Sequence, residues 1–158
     1  MIVLQQILVA TDFGEMAEVA LTYGRALAHT FRAKLHLLHA MENSFLRARP
    51  ADPFAHDAEV LRRLHKLLTA DDRSTLKAHV ALETSDSAAD AIAAYAKAAN
   101  IDLIVIGTNG RGTMAQVLVG SVAERVVRIA PCPVLTVRHP EREFVVPEAL
   151  AAATDSAR

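Results

Sequence analysis

The 158-residue sequence has one cysteine and no tryptophan, and aromatics make up only 4% of it. A single thiol, Cys132, excludes an internal disulfide framework and any multi-cysteine metal site. Set between Pro131 and Pro133, it reads as a small buried hydrophobe rather than a reactive nucleophile. With so few aromatics, the core must be built from Ala, Val, Leu and Ile. The formal charge is −1, which gives no footprint for a nucleic acid and no polybasic patch for a membrane surface. No apolar run is long enough to span a bilayer. Residues 1–12 lack the basic region and cleavage signature of a signal peptide, so a cytoplasmic location is expected. Histidine is present but scattered. His36 and His39 lie three apart on a predicted strand and so point to opposite faces, and His29, His56, His65, His79 and His139 show no ligand spacing. All seven read as structural or solvated.

What is present is an alternation of apolar runs and helical patterns. Residues 7–11 (ILVAT) read as a first strand and 12–14 as a turn. Ala17, Ala20, Leu21, Gly24, Leu27 and Ala28 recur at helical spacing and predict a helix over Glu15–Phe31. A second strand is predicted over 35–40, then a connection over 41–53 broken by Pro50 and Pro53. Leu61, Leu64, Leu67 and Leu68 mark a second helix whose other face carries Arg62, Arg63 and Lys66. Residues 77–84 alternate as a third strand, and 85–100 form an Ala-rich third helix with Ser85 or Asp86 as its cap. Leu103–Gly107 is a fourth strand, Ser121–Ile129 a fourth helix and 134–138 a fifth strand.

Such alternation predicts βαβ units, right-handed crossovers and a mostly parallel sheet in one domain over 1–140. The first and fourth strands are apolar enough to be central. The fifth follows a Pro-Cys-Pro corner and is placed at an edge. The tail, 141–158, is compatible with one or two helical turns over 147–153 and equally with a frayed, disordered end.

The richest segment joins the fourth strand to the fourth helix. Gly107, Gly110 and Gly112 follow the strand, and Gly120 and Ser121 open the helix. Glycines allow tight turns and close approach, and a helix start offers unpaired N–H groups and partial positive charge. The combination reads as a nest for an anion, most often a phosphate. No Gly-Lys-Ser/Thr follows, so it is not a Walker loop, and Gly110-Arg111-Gly112 lacks the third glycine of a dinucleotide fingerprint. A flexible surface loop is the competing reading.

These residues resemble the universal stress protein family. Its N-terminal mark is ILVATDF at 7–13. Its C-terminal marks are DLIVIGTNGRG at 102–112, GSVAERV at 120–126 and APCPVL at 130–135. The glycine spacing, Gly107-x2-Gly110-x9-Gly120-Ser121, is similar to that of the family's ATP-binding branch. The resemblance implies a single five-stranded parallel sheet, order 3-2-1-4-5, with helices on both faces. That is a Rossmann-like fold of the adenine nucleotide alpha hydrolase type. It implies a homodimer paired through the edge strand over 134–138, where Val134, Leu135 and Val137 need covering. It implies ATP, with Mg²⁺, over the C-terminal ends of strands one and four. The switch-point rule for open parallel sheets gives the same location.

Carried over by position, Gly110, Arg111, Gly112, Gly120, Ser121 and Val122 would cradle the phosphates, with Gly107 at the strand end. Thr11 and Asp12 close the first strand. The family's acidic residue at Asp12 would bond the ribose or help hold a divalent ion, and a helix cap is the competing role. Ala40 would recognise adenine through its backbone. The sequence departs from the family at Asp86-Ser87-Ala88, where Gly-x-Pro is usual, at Gly14, where serine is usual, and at Asn109, where histidine is common. The expected function is an ATP-binding, stress-response switch with at most slow hydrolysis, since the nest has no lysine and no evident base. A dimeric interaction protein without ATP, or a binder of another adenine nucleotide such as AMP, is the alternative.

Overall fold

The computed structural model describes residues 1–43, 52–108, 120–138 and 145. Its elements, in chain order, are β1 Gln6–Ala10, α1 Glu15–Phe31, β2 Lys34–Glu42, α2 Pro53–Leu67 and α3 Ala70–Thr75. They continue with β3 His79–Ser85, α4 Ala88–Ala98, β4 Leu103–Gly107, α5 Ser121–Ile129 and β5 Val134–Val137. The five strands form one sheet in the order β3-β2-β1-β4-β5, and every pair is parallel. β1 is central, with Ala10 opposite Leu38 on β2 and Ile106 on β4.

The continuous apolar strands are explained by burial on two faces. Ile7, Val9, Leu35, Leu37 and Val105 pack with Ala20 and Leu21 of α1 and with Val60 and Leu64 of α2. Leu8, Ala10, Leu38, Ile104 and Ile106 pack with Ala89, Ile92 and Ala96 of α4 and with Ala123 and Val126 of α5. Alternate residues of each strand thus serve opposite layers. Each fully buried Leu or Ile contributes about 2 kcal/mol. Gly24 is the point of closest approach between α1 and β1. A Cβ there would collide with the Val9 side chain.

Helix ends follow local chemistry. α1 stops at Arg32, which is left-handed at φ 55°, and the following Ala33 N–H donates to Ala28 O at 2.9 Å. α4 is followed by Asn100 at φ 50°, and Ile101 N–H donates to Ala96 O at 2.9 Å. Several predicted boundaries need correction. β3 starts at His79 and α4 ends at Ala98, each two residues inside the prediction. β2 runs on to Glu42, because its pairing with β3 continues past the end of β1. β3 runs to Ser85, so α4 begins at Ala88 and its cap is Ser87, not Ser85 or Asp86. A six-residue helix, α3, is additional. Thr69 and Asp72 form a reciprocal capping box at its start. Asp72 is fully buried and receives Arg25 Nε at 2.7 Å and Nη2 at 2.8 Å.

His36 and His39 do face opposite sides. His36, on the α4 side, bonds Tyr95 Oη through Nδ1 at 2.8 Å and Gln6 Oε1 through Nε2 at 2.7 Å, while His79 Nε2 lies 3.0 Å from the same Tyr95 hydroxyl. His39, on the α1 side, stacks on Phe13. Among the described residues no helix is long and apolar enough to cross a membrane. The predicted tail, 141–158, lies outside the described residues apart from Val145, which packs half-buried against the first cluster.

Candidate functional site

Strand order reverses between β1 and β4, so the crevice of interest lies beyond Ala10 and Gly107. β1 leaves the sheet through a tight turn. Thr11 N–H still donates to Leu38 O at 2.9 Å, and its buried hydroxyl accepts from Phe13 N at 3.0 Å. Asp12 Oδ1 accepts from Gly14 N at 2.8 Å. Asp12 therefore closes its own turn and does not cap α1. The N-cap is Gly14, without a side-chain bond.

β4 ends in the same place. Gly107 pairs with Val137, and Thr108 N–H donates to Val137 O at 2.9 Å. Gly107 has a packing reason to be glycine. A Cβ would lie 2.8 Å from Met16 Cβ and 2.9 Å from the Met16 backbone, in the first turn of α1. Thr108 O in turn accepts from Gly120 N, so the two ends of the predicted nest are hydrogen-bonded together. Gly110, Arg111 and Gly112, with Asn109, lie outside the described residues. Gly120 is the N-cap of α5, again without a side-chain bond. Ser121 is exposed, and Val122 packs half-buried against the second cluster.

Capping separates the helices. α2, α3 and α4 start with side-chain caps from Asp52, Thr69 and Ser87. α4 has a second candidate acceptor, Glu42 Oε1, at 3.4 Å from Ala88 N. α1 and α5 start at glycines with no side-chain cap. These are the two helices that follow β1 and β4, and their positive dipole ends meet at the switch point. Ala40 lies on β2 two residues past the last β1 partner, Leu38. Parallel strands direct the polar groups of alternate residues to the same neighbour. Since the Leu38 carbonyl faces β1, the Ala40 backbone presents its N–H and C=O to the space beyond β1. Asp86 is exposed in the loop before α4.

Asp12 is half-buried, and only Oδ1 is engaged by Gly14. Among the described residues no three His, Cys, Asp or Glu side chains converge on a metal position. A cation beside Asp12 would therefore take its remaining ligands from phosphate oxygens and water, which suits Mg²⁺. The crevice thus brings together Thr11, Asp12, Ala40, Gly107, Gly120, Ser121 and Val122 at the C-terminal end of the sheet.

Residues that the sequence did not single out brace the turn from the α1/α2 side. Phe13 is left-handed at φ 63°. His39 Nδ1 lies 2.7 Å from Thr11 O, and the His39 and Phe13 ring centroids are 4.8 Å apart. Arg63 Cζ sits 4.0 Å from the Phe13 ring centroid. No local signal marks these contacts, because they join residues from β2, α2 and the β1–α1 turn.

A doubly wound parallel sheet defines a class: open α/β proteins, in which the switch point at the strand C-termini is the usual place for a ligand. The chain belongs to the universal stress protein family, whose model matches residues 4–138. It is 34% identical over 138 residues to a universal stress protein of Thermus aquaticus, spanning 84% of this chain and 97% of that one. Universal stress protein UspA of Lactobacillus plantarum superposes with a TM-score of 0.67 at 28% identity, covering 87% of this chain and 100% of that one. A universal stress protein in complex with cAMP has a TM-score of 0.66 at 23% identity and covers 88% of this chain and 100% of its own. One from Archaeoglobus fulgidus in complex with dAMP has a TM-score of 0.62 at 21% identity and covers 87% and 100%. Both share the fold.

Proposed function

We propose that this universal stress protein binds an adenine nucleotide, ATP with Mg²⁺ foremost, and acts as a dimeric nucleotide-dependent switch. One observation carries the reading: the two helices that begin at the β1/β4 switch point are the two without side-chain caps. A helix start without a side-chain cap keeps its positive dipole end open to an anion, and a phosphate chain suits it. The adenine would lie by the Ala40 backbone, the ribose and Mg²⁺ by Thr11 and Asp12, and the phosphates by Gly120, Ser121, Val122 and the glycines Gly110 and Gly112, with Arg111 between them. The family structures with cAMP and dAMP support an adenine nucleotide as the ligand class. Ordering of the loop over 109–119 around the phosphates would shift the population of loop conformers and so the surface offered to a partner. Efficient hydrolysis is not expected, since the segment supplies no lysine for charge stabilisation and no base to orient water.

A second reading, a shorter or absent phosphate chain, is favoured by two carboxylates on the α4 side. Glu42 already occupies the α4 start and Asp86 is exposed beside it, so a polyphosphate leaning that way would be repelled. AMP, or no nucleotide at all, would follow.

Mass spectrometry of nucleotide released from the purified protein, followed by calorimetric titration with Mg-ATP and with AMP, distinguishes these. ATP bound or titratable supports the switch. AMP alone supports the second reading. No adenine nucleotide bound at millimolar concentration overturns the switch and leaves a dimeric interaction protein of this fold. Gly110→Val should abolish ATP binding with the fold intact, and wild-type affinity in that variant would remove the loop from the site.

A further inference from the structure

We propose that His39 and Arg63 are positioning residues for Asp12, acting through Phe13. The assignment rests on the reading above that Asp12 faces the nucleotide.

The starting observation is the backbone of Phe13. A φ of 63° places an aromatic residue in the left-handed region, which favours glycine. Glycine occupies the next position, Gly14, where φ is −86° and no such freedom is needed. The conformation of Phe13 therefore has to be enforced by its surroundings.

Three contacts enforce it. The Thr11 carbonyl only accepts, so His39 Nδ1 carries the hydrogen and donates across 2.7 Å. The same imidazole packs at 46° to the Phe13 ring, 4.8 Å between centroids. Arg63, from α2, lays its guanidinium on the ring at 4.0 Å, within cation–π range. Among the described residues no carboxylate pairs with Arg63, so the ring is its visible partner.

Fixing Phe13 and Thr11 fixes the residue between them. Asp12 has its Oδ1 bonded to Gly14 N at 2.8 Å, and the Phe13 N–H is held by the Thr11 hydroxyl at 3.0 Å. The carboxylate orientation is thus set by a turn whose hard-to-adopt residue is clamped from behind. His39 and Arg63 touch no nucleotide in this arrangement. They decide where Asp12 points.

The test uses ligand-free protein first. Amide exchange at Gly14 and Phe13 is measured by NMR in wild type, His39→Leu, His39→Asn and Arg63→Met. His39→Leu removes the donor and should speed Gly14 exchange about ten-fold, and Arg63→Met should do so by a few-fold, with strand amides such as Val9 unchanged. His39→Asn keeps an N–H donor but loses the ring contact with Phe13, and should fall between wild type and His39→Leu. Unchanged Gly14 exchange in His39→Leu overturns the proposal. So does an equal rise at Val9, which would mean general loosening.

Mg-ATP titration of the same variants then follows, alone and with Asp12→Ala. His39→Leu should weaken binding about ten-fold alone and add nothing in the Asp12→Ala background. A full further loss there would overturn the route through Asp12. If wild type binds no nucleotide, the functional reading fails by itself, and the exchange rates alone decide the clamp.

Discussion

A methyl group added at Gly107 would sit 2.8 Å from Met16 Cβ, with Met16 backbone atoms at 2.9 Å. Backbone on one side and a helix start on the other leave no flexible end to move aside. Gly107→Ala should therefore destabilise by about 1–3 kcal/mol, the range for overpacking, and lower the urea midpoint without changing the slope. Gly24→Ala presents a balance. The helix interior would gain about 1 kcal/mol in propensity, but the new Cβ collides with Val9 in the core. Packing should win, and a midpoint above wild type would show that β1 yields.

His36 sets a pH dependence at the same scale. Burial, then the charges of His79 and Lys34, lower its pKa from 6.5 to about 4. Burial and Lys34 lower that of His79 too. The other titratable groups at this cluster are Tyr95, pushed up by burial and by Glu83, and Glu83 itself. The folded chain thus resists a proton that the unfolded chain accepts. The His36 contribution is complete above about pH 6.5 and is lost as pH falls towards 4, on the order of 3 kcal/mol in all. Denaturant midpoints for wild type and His36→Gln should diverge in pH slope across that window. Parallel slopes would refute the assignment.

At the scale of elements, α3 shows what periodicity misses. Six residues, Ala70–Thr75, are too few for a helical pattern to register. The signal available was Thr69 followed three residues later by Asp72, and its second half is tertiary: Asp72 reaches Arg25 on α1. Burial pushes the Asp72 carboxyl up, but the Arg25 and Thr69 bonds outweigh it and hold it below the usual range. Asp72→Ala would leave Arg25 without its carboxylate partner and remove the reciprocal half of the α3 capping box, at a cost of about 3–5 kcal/mol by denaturant unfolding. The exposed Arg125–Asp90 pair between α5 and α4 should by contrast change stability by less than about 1 kcal/mol when Arg125 becomes Ala. α1, β4 and α5 were legible to the residue, because each couples a clear apolar pattern to a capping or glycine boundary. The α4 start was misplaced, because Ser85, Asp86 and Ser87 are all good caps and only the length of β3 chooses among them. The left-handed Phe13 had no local signal at all.

For the whole molecule, the alternation of strands and helices gave a parallel α/β sheet from pattern alone. The order β3-β2-β1-β4-β5 did not follow from pattern, since apolarity marks central strands without arranging them, and it rested on the family resemblance. That order leaves β5 at an edge, where the expected homodimer would pair. Its geometry supplies a selective test. Ile104 N donates to Pro133 O and Thr108 N to Val137 O, so residues 133, 135 and 137 turn their polar groups to β4. Val134, Thr136 and Arg138 turn theirs outward. Thr136→Pro would remove an outward N–H and leave the β4 ladder intact, which edge positions tolerate. If two copies join through β5, sedimentation should show a dimer for wild type and a monomer for Thr136→Pro, with the far-UV spectrum unchanged. A dimer that survives the proline would move the interface elsewhere, and a wild-type monomer would leave Val134 and Leu135 for a different partner.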